Sequence, residues 1–188
     1  MCKSVYIYLP ILALLSIMQL KKAEKSKKFD NFFDGIKRAN SEKKIFEGSM
    51  TVEKETNTKF TLTAELEQLV ELNNDYEVEI IANRADLSSP EKYEVIFEMS
   101  RTPFCDFMDF FYPLIYDAFQ NYSNIPPPDS CPFNPKKYTV TKAPYDAEPF
   151  NSMTKSGNLR LDVNLYKGDD KVEELQFLSH VTEMEDSK

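Results

Sequence analysis

Residues able to carry out chemistry are few in this chain. One histidine and three cysteines occur among its 188 residues. His180 is the single candidate for a general base, and no Ser or Cys lies in a nucleophile-elbow motif that would pair with it. One histidine also excludes His-rich zinc sites, and four glycines leave no glycine-rich phosphate loop. The sequence therefore predicts no catalytic residue, no metal site and no cofactor.

Acidic residues outnumber basic ones. The chain holds 31 Asp and Glu against 23 Lys and Arg, a formal net charge of −8. This balance argues against a nucleic-acid partner, which requires a basic surface to displace counterions from phosphates. Most carboxylates alternate with apolar residues, so we expect them to form a solvated surface rather than an acid–base pair.

The N-terminus has the pattern of a targeting segment. Lys3 precedes an apolar run, residues 5–18, that is too short to span a bilayer comfortably. We interpret residues 1–23 as a signal peptide, with an uncleaved anchor as the alternative. Residues 24–44 form a basic entry segment, helical or poorly ordered, and residues 45–188 form one domain. This organisation predicts a secreted, extracellular protein without a stable membrane span.

The cysteines bear on the same prediction. Export with removal of the leader leaves Cys105 and Cys131, which allow one disulfide in an oxidising compartment. Two buried free thiols are the alternative. Cys131 lies in a stiff frame, preceded by three prolines and followed by Pro132. Shortly before this frame, Asn121 begins an Asn-Tyr-Ser acceptor for N-glycosylation.

Period-two alternation of apolar and polar residues dominates the remaining sequence. Such alternation is typical of antiparallel strands with one dry and one wet face. The pattern predicts about seven strands, over residues 46–53, 60–67, 76–82, 93–99, 138–141, 159–165 and 172–181. No βαβ rhythm is present. We therefore expect a mainly β fold, an immunoglobulin-like sandwich of two antiparallel sheets.

One aromatic-rich helix is predicted between the strands. Thr102 is its expected cap, Pro103 its first residue, and Pro113 is expected to kink or split it. Seven aromatics occur in residues 104–119. They could cover the mouth of a cavity or touch a membrane, or one stripe could simply pack on a sheet. Because seven aromatics cannot all point inward, an exposed apolar patch is expected.

Several residues of the second half resemble a known family. The residues that carry the resemblance are Cys105, Asn124, Cys131, Pro132, Tyr138, Gly157 and Leu161. Together they resemble the secreted insect chemosensory protein B group and its uncharacterised relatives. That group is similar to the ganglioside activator protein and to the wider lipid-recognition superfamily. The resemblance implies a cup-like sandwich whose sheets enclose a fatty or hydrocarbon ligand.

The apolar faces and the helix supply candidate ligand-binding residues. These are Phe60, Leu62, Val78, Ile80, Val95, Phe97, Phe107, Phe111, Ile115, Phe119, Leu161, Val163 and Phe177. The same faces could equally form a filled core, since alternation does not distinguish a closed sandwich from a cup.

Three functional classes follow. The first is a secreted carrier of a hydrophobic small molecule; the resemblance implies a lipid or cuticular hydrocarbon as ligand and a role as an accessory to chemical sensing, with a membrane receptor or ion channel as partner. The second is an accessory that docks on such a receptor without a working ligand pocket. The third, an enzyme such as a lipid hydrolase, lacks a candidate nucleophile.

Overall fold

The computed structural model describes residues 29–38, 44–146 and 155–184 of the chain. The predicted signal peptide, residues 1–23, lies outside these ranges. In chain order the elements are β1 Phe29–Arg38, β2 Phe46–Lys54, β3 Lys59–Gln68, β4 Tyr76–Ala85, β5 Glu94–Pro103, α1 Phe104–Phe119, β6 Lys136–Asp146, β7 Gly157–Lys167 and β8 Asp170–Glu183.

The strands form two antiparallel sheets. One sheet has five strands in the order β1-β8-β7-β4-β5, and the other has three in the order β2-β3-β6. Apolar residues share one face of each sheet because directly paired residues point the same way. Ala82 and Phe177 flank Leu161 in the first sheet, and Met50 lies opposite Ala64 in the second. The predicted mainly β, two-sheet sandwich is confirmed.

The entry segment contains a strand that the sequence did not predict. Strand β1 pairs with β8 along its whole length, with Phe29 opposite Glu183 and Arg38 opposite Leu175. The prediction of a helical or poorly ordered segment was therefore wrong for these residues. A register shift between Phe33 and Gly35 breaks the period-two pattern that would have indicated a strand.

The helix differs from its prediction in two respects. Thr102 belongs to β5 and Pro103 is the residue at the helix N-cap, so the predicted capping role of Thr102 was wrong. Pro113 lies inside a single helix of 16 residues and does not split it. Proline removes one backbone hydrogen bond, but packing of a helix on its neighbours can hold it together across that gap. Helix α1 contacts β4 and β5.

A compact hydrophobic core occupies one end of the sandwich, which we call the closed end. Its buried members come from strands, loops and α1: Ile45, Leu72, Tyr76, Val78, Phe104, Tyr112, Phe133 and Leu165. Leu72 and Phe133 exchange two backbone hydrogen bonds of 2.9 Å. The predicted disulfide joins Cys105 at the start of α1 to Cys131, with Cα atoms 5.6 Å apart. The helix start and the proline-rich loop are thereby fastened to the core.

Two carboxylates of the described residues are buried, contrary to the expectation that these groups are solvated. Glu173 on β8 is 2 % exposed. Its Oε2 accepts hydrogen bonds from the backbone N–H groups of Ile45 and Phe46, and its Oε1 lies 3.0 Å from Nε of Arg38. The carboxylate thus joins the start of β2 to the five-stranded sheet. Asp162, the second case, is described below with its partners.

Candidate ligand-binding site

The end of the sandwich opposite the core is called the open end. Here the usual pattern of burial is reversed, because an apolar inner residue is more exposed than its polar outer neighbour. Leu161 on the inner face of β7 is 37 % exposed, whereas its neighbour Asp162 on the outer face is 7 % exposed. A filled sandwich would bury the leucine and expose the carboxylate. The inner face therefore borders open space.

An open space lies between the two sheets at this end. This mouth cavity has a volume of about 370 Å³ and opens to solvent. Residues from both sheets and from the end of α1 line it: Asn31, Phe32, Phe33, Met50, Val52, Phe60, Leu62, Phe119, Tyr145, Phe177 and Ser179. Nine of the eleven are apolar or aromatic, which suits a ligand held by burial of hydrocarbon rather than by charge.

A second space adjoins the mouth cavity towards β5. This edge cavity of about 280 Å³ shares Phe33, Phe177 and Ser179 with the mouth cavity and extends over Leu161 to Ile96. The two spaces therefore adjoin along the five-stranded sheet, and the lining of the edge cavity also includes Asn83 and Arg160.

A third space lies beneath the helix. This helix cavity of about 320 Å³ is bounded by the three-stranded sheet, α1 and the proline-rich loop. Its lining is Phe46, Ala64, Leu66, Gln68, Leu72, Phe104, Met108, Tyr112, Ile125, Pro126, Phe133, Tyr138 and Val140. The Gln68 amide is already engaged, since its Nε2 donates to the carbonyls of Val70 and Phe133.

Five of the predicted ligand-binding residues line these spaces. Phe60, Leu62 and Phe119 line the mouth cavity, Leu161 lines the edge cavity, and Phe177 lines both. They come from strands β3, β7 and β8 and from the last residue of α1.

Other predicted residues lie elsewhere. Val78 belongs to the closed core, and Ile80, Val163 and Phe107 pack against it. Because these four residues pack on or within the core, they line none of the three cavities described above.

Strand β5 departs from the predicted alternation. Val95 and Phe97 are 57 % and 51 % exposed. A register shift places Phe97 opposite Ala82 but Val95 opposite Asn83, so the two do not continue one inner face. The side chains of Phe111 and Ile115 lie outside the described part of the structure.

Sequence reasoning missed part of the lining that its own pattern contained. Met50 and Val52 share the predicted dry face of β2, and Ala64 and Leu66 share that of β3. Choosing every residue of those faces would have found them. Phe33, in contrast, carried no periodic signal because it adjoins the register shift of β1.

Polar side chains on the outer face of the five-stranded sheet form a buried network. Asn83 Nδ2 donates to Asp162 Oδ2 over 2.9 Å, and Arg160 Nε lies 2.9 Å from Asp162 Oδ1. Burial raises the pKa of Asp162, while the nearby Arg160 opposes that rise. Arg160 also lies over the ring of Tyr93, at 4.6 Å. The network thus gives the buried Asp162 carboxylate both a hydrogen-bond donor and a cation as partners.

Tyr112 joins the helix to the proline-rich loop. Its hydroxyl donates a 2.6 Å hydrogen bond to the carbonyl of Pro126. Burial, with smaller contributions from Tyr138 and Tyr116, raises the pKa of Tyr112 to about 12. The phenol therefore remains a neutral donor, and its function here is structural.

The remaining candidates have ordinary surroundings. His180 Nδ1 lies 2.8 Å from Asp34 Oδ1, and its ring stacks on Phe32 at 4.5 Å. Asn121, the predicted glycosylation acceptor, is exposed beyond the end of α1. Across residues 29–38, 44–146 and 155–184, no group of three or more His, Cys, Asp or Glu is arranged to hold a metal ion. Within the same ranges, no helix combines the length and apolarity needed to cross a membrane.

Comparison with known proteins gives one family match. Residues 78–161 match the model of a family described as a protein of unknown function (DUF1091). The match runs from β4 into β7 and includes α1 and both bridged cysteines. No curated protein matches the chain.

Proposed function

We propose that this protein is a secreted carrier of an apolar small molecule, which it holds between its two sheets. The observation that carries the proposal is the inverted burial at the open end, where Leu161 is more exposed than Asp162. Leaving such a surface in water is costly, and a hydrocarbon ligand would recover about 25 cal/mol for each Å² that it covers. The mouth cavity also falls within the ~300–1,000 Å³ typical of small-molecule sites.

The ligand class follows from the lining. Met50, Leu62 and Phe177 offer hydrocarbon surface from both sheets. Such a surface favours a lipid or cuticular hydrocarbon over a charged metabolite. Binding of this kind involves no bond formation, so the proposal is for a carrier and not for an enzyme.

The family resemblance supports the same function. The match over residues 78–161 is consistent with a lipid-recognition-like family. Within that superfamily, we propose that the chain belongs with the secreted chemosensory protein B group. Its function would then be to present a hydrophobic molecule to a membrane receptor or ion channel.

The absence of tryptophan from the chain permits a direct test. Phe177→Trp places a single fluorophore in the mouth cavity, and Phe110→Trp places one on the exposed surface of α1 as the matched control. Titration with palmitate should move the emission of the Phe177→Trp protein to shorter wavelength and leave the control unchanged. Native mass spectrometry of the wild-type protein should in parallel detect a co-purified lipid. Unchanged emission in a folded Phe177→Trp protein, with no lipid detected, would refute the carrier function.

A receptor-docking accessory without a ligand is the second candidate. The exposed apolar residues Val95, Ile96 and Phe97 on an edge strand favour it, since such patches often mark protein contacts. The two candidates differ in the tryptophan experiment: an accessory predicts no response to palmitate at either position.

A further inference from the structure

The mouth cavity and the helix cavity share one wall, the inner face of the three-stranded sheet. On β3, Leu62 lines the mouth cavity, and Ala64, two residues further along the same face, lines the helix cavity. On β2, Met50 of the mouth cavity lies directly opposite Ala64. Directly opposed residues of an antiparallel pair have Cβ atoms about 5 Å apart. The two cavities therefore adjoin at Met50, Leu62 and Ala64.

One wall of the helix cavity is formed by the buried core. Leu72, Phe104 and Phe133 line the cavity and also belong to that core, whereas Leu66 on β3 is 37 % exposed. The disulfide from Cys105 to Cys131 fastens the helix start beside this wall. A ligand that enters at the mouth and advances under α1 would thus meet the core.

Neither the mouth cavity nor the helix cavity has a charged residue in its lining, but each has a lysine nearby. Lys136 Nζ lies 5.7 Å from the centre of the Tyr138 ring at the helix cavity. At the mouth, Lys54 forms an ion pair with Asp30 and lies closer, 3.5 Å from the centre of the Phe32 ring. We place a polar head group beside Lys54, with the hydrocarbon end under the helix.

We infer that the two cavities are consecutive segments of one channel, and that the ligand is a single unbranched chain lying along β3. Its polar end lies near Lys54 and its methyl end beside Ala64 and Leu66. From Phe60 to Leu66 this path is about 20 Å long, given the rise of ~3.4 Å per strand residue. The inference rests on the proposed carrier function and specifies its ligand class.

Chain-length selectivity tests this inference. The probes are the saturated fatty acids octanoate, laurate, palmitate and stearate, titrated into the Phe177→Trp protein. Affinity should rise with chain length up to palmitate, because each added methylene leaves water. Ala64→Phe, placed at the junction of the cavities, should weaken palmitate binding by about tenfold, the loss expected when two methylenes stay in water. Octanoate, which needs only the mouth, should change by less than about twofold.

Ser49→Phe is the matched control, since Ser49 precedes Met50 on β2 and is exposed on the opposite face. It should leave the whole series unchanged. If Ala64→Phe leaves palmitate binding intact, or weakens octanoate equally, the single-channel inference is wrong although the carrier function stands. If no fatty acid binds the protein with intact cavities, the carrier function fails and the inference falls with it.

Discussion

The two ends of this sandwich are built from similar strands but differ in what lies between the sheets. At the closed end, Leu72 and Val78 are 1 % and 4 % exposed, and a disulfide lies beside them. At the open end, Leu161 occupies the same face of the five-stranded sheet as Val78 yet borders a cavity. Alternation of apolar residues therefore creates an inner face, and only the elements inserted above that face determine whether it becomes core or pocket.

The inserted elements are α1 and the loops that follow β3 and α1. They supply Leu72, Phe104 and Phe133, which form the core of the closed end and one wall of the helix cavity. The open end receives only Phe119 from the helix among the residues described. Stability and binding are thus expected to reside at opposite ends of one fold.

Removal of the disulfide should have the largest effect. Cys105 and Cys131 are 26 residues apart, and a bridge closing a loop of that length stabilises a fold by about 3.5 kcal/mol in the chain-entropy estimate. The Cys105→Ser/Cys131→Ser double variant should lose about that much free energy of unfolding in urea. Because the bridge is at the closed end, hydrogen exchange should accelerate in α1 more than in β1 and β8. Equal acceleration in both regions would contradict the division into two ends.

A pair of leucine truncations measures the same difference directly. Leu72→Ala removes a fully buried side chain and should cost about 3 kcal/mol of unfolding free energy. Leu161→Ala removes one that is 37 % exposed beside open space and should cost less than about 1 kcal/mol. Both values come from urea titrations monitored by circular dichroism. Equal losses would show that the open end is packed in solution.

For the binding of palmitate, we expect the opposite order, with Leu161→Ala having the larger effect on affinity. Leu161→Ala should weaken a ligand that reaches the edge cavity, whereas Leu72→Ala should weaken it only through loss of folded protein. A fluorescence titration without urea, at a temperature at which both variants are folded, distinguishes the two cases.

How far the sequence predicts this structure depends on the range of the interactions. Strand faces and the disulfide were predictable because alternation and cysteine number are local or countable properties. Glu173 was not, since its backbone partner Ile45 lies 128 residues away and nothing near Glu173 signals it. Strand β1 was missed for a local reason, because its register shift interrupts the period-two alternation that would have indicated a strand.

The site itself was predictable only in part. Phe60, Leu62 and Phe177 lie on inner faces that the pattern indicates, and all three line the mouth cavity. Val78 lies on an equally well-indicated face but is core, because the residues that cover it come from a distant segment, at Phe104 and Phe133. Periodicity identifies which side chains share a face and carries no information on what covers them.

Alkaline pH provides a weaker perturbation, to which Tyr112 at the closed end contributes. Tyr112 has a pKa of about 12 in the folded chain, against an ordinary value of 10.0. Above pH 10 the unfolded chain therefore loses this proton before the folded chain does, so the free energy of unfolding should fall as pH rises from about 10 to about 12. Tyr112→Phe should make that fall shallower and, at neutral pH, cost about 1 kcal/mol for the lost hydrogen bond to Pro126. An unchanged slope would show that the phenol at position 112 is not protected in solution.

The smallest effect is expected at the exposed margin of the open end. Ile96 is 52 % exposed on β5, an edge strand of the five-stranded sheet. Ile96→Thr keeps a β-branched side chain, so the free energy of unfolding should change by less than about 0.5 kcal/mol. The exposed apolar edge should nevertheless promote self-association, because an unpaired strand with apolar side chains is a template for another chain. Sedimentation velocity over a concentration series should show less association for Ile96→Thr than for the wild-type chain, and Thr51→Val on the outer face of β2 provides a control of similar size. A large loss of stability in Ile96→Thr would mean that this margin is packed like the closed end.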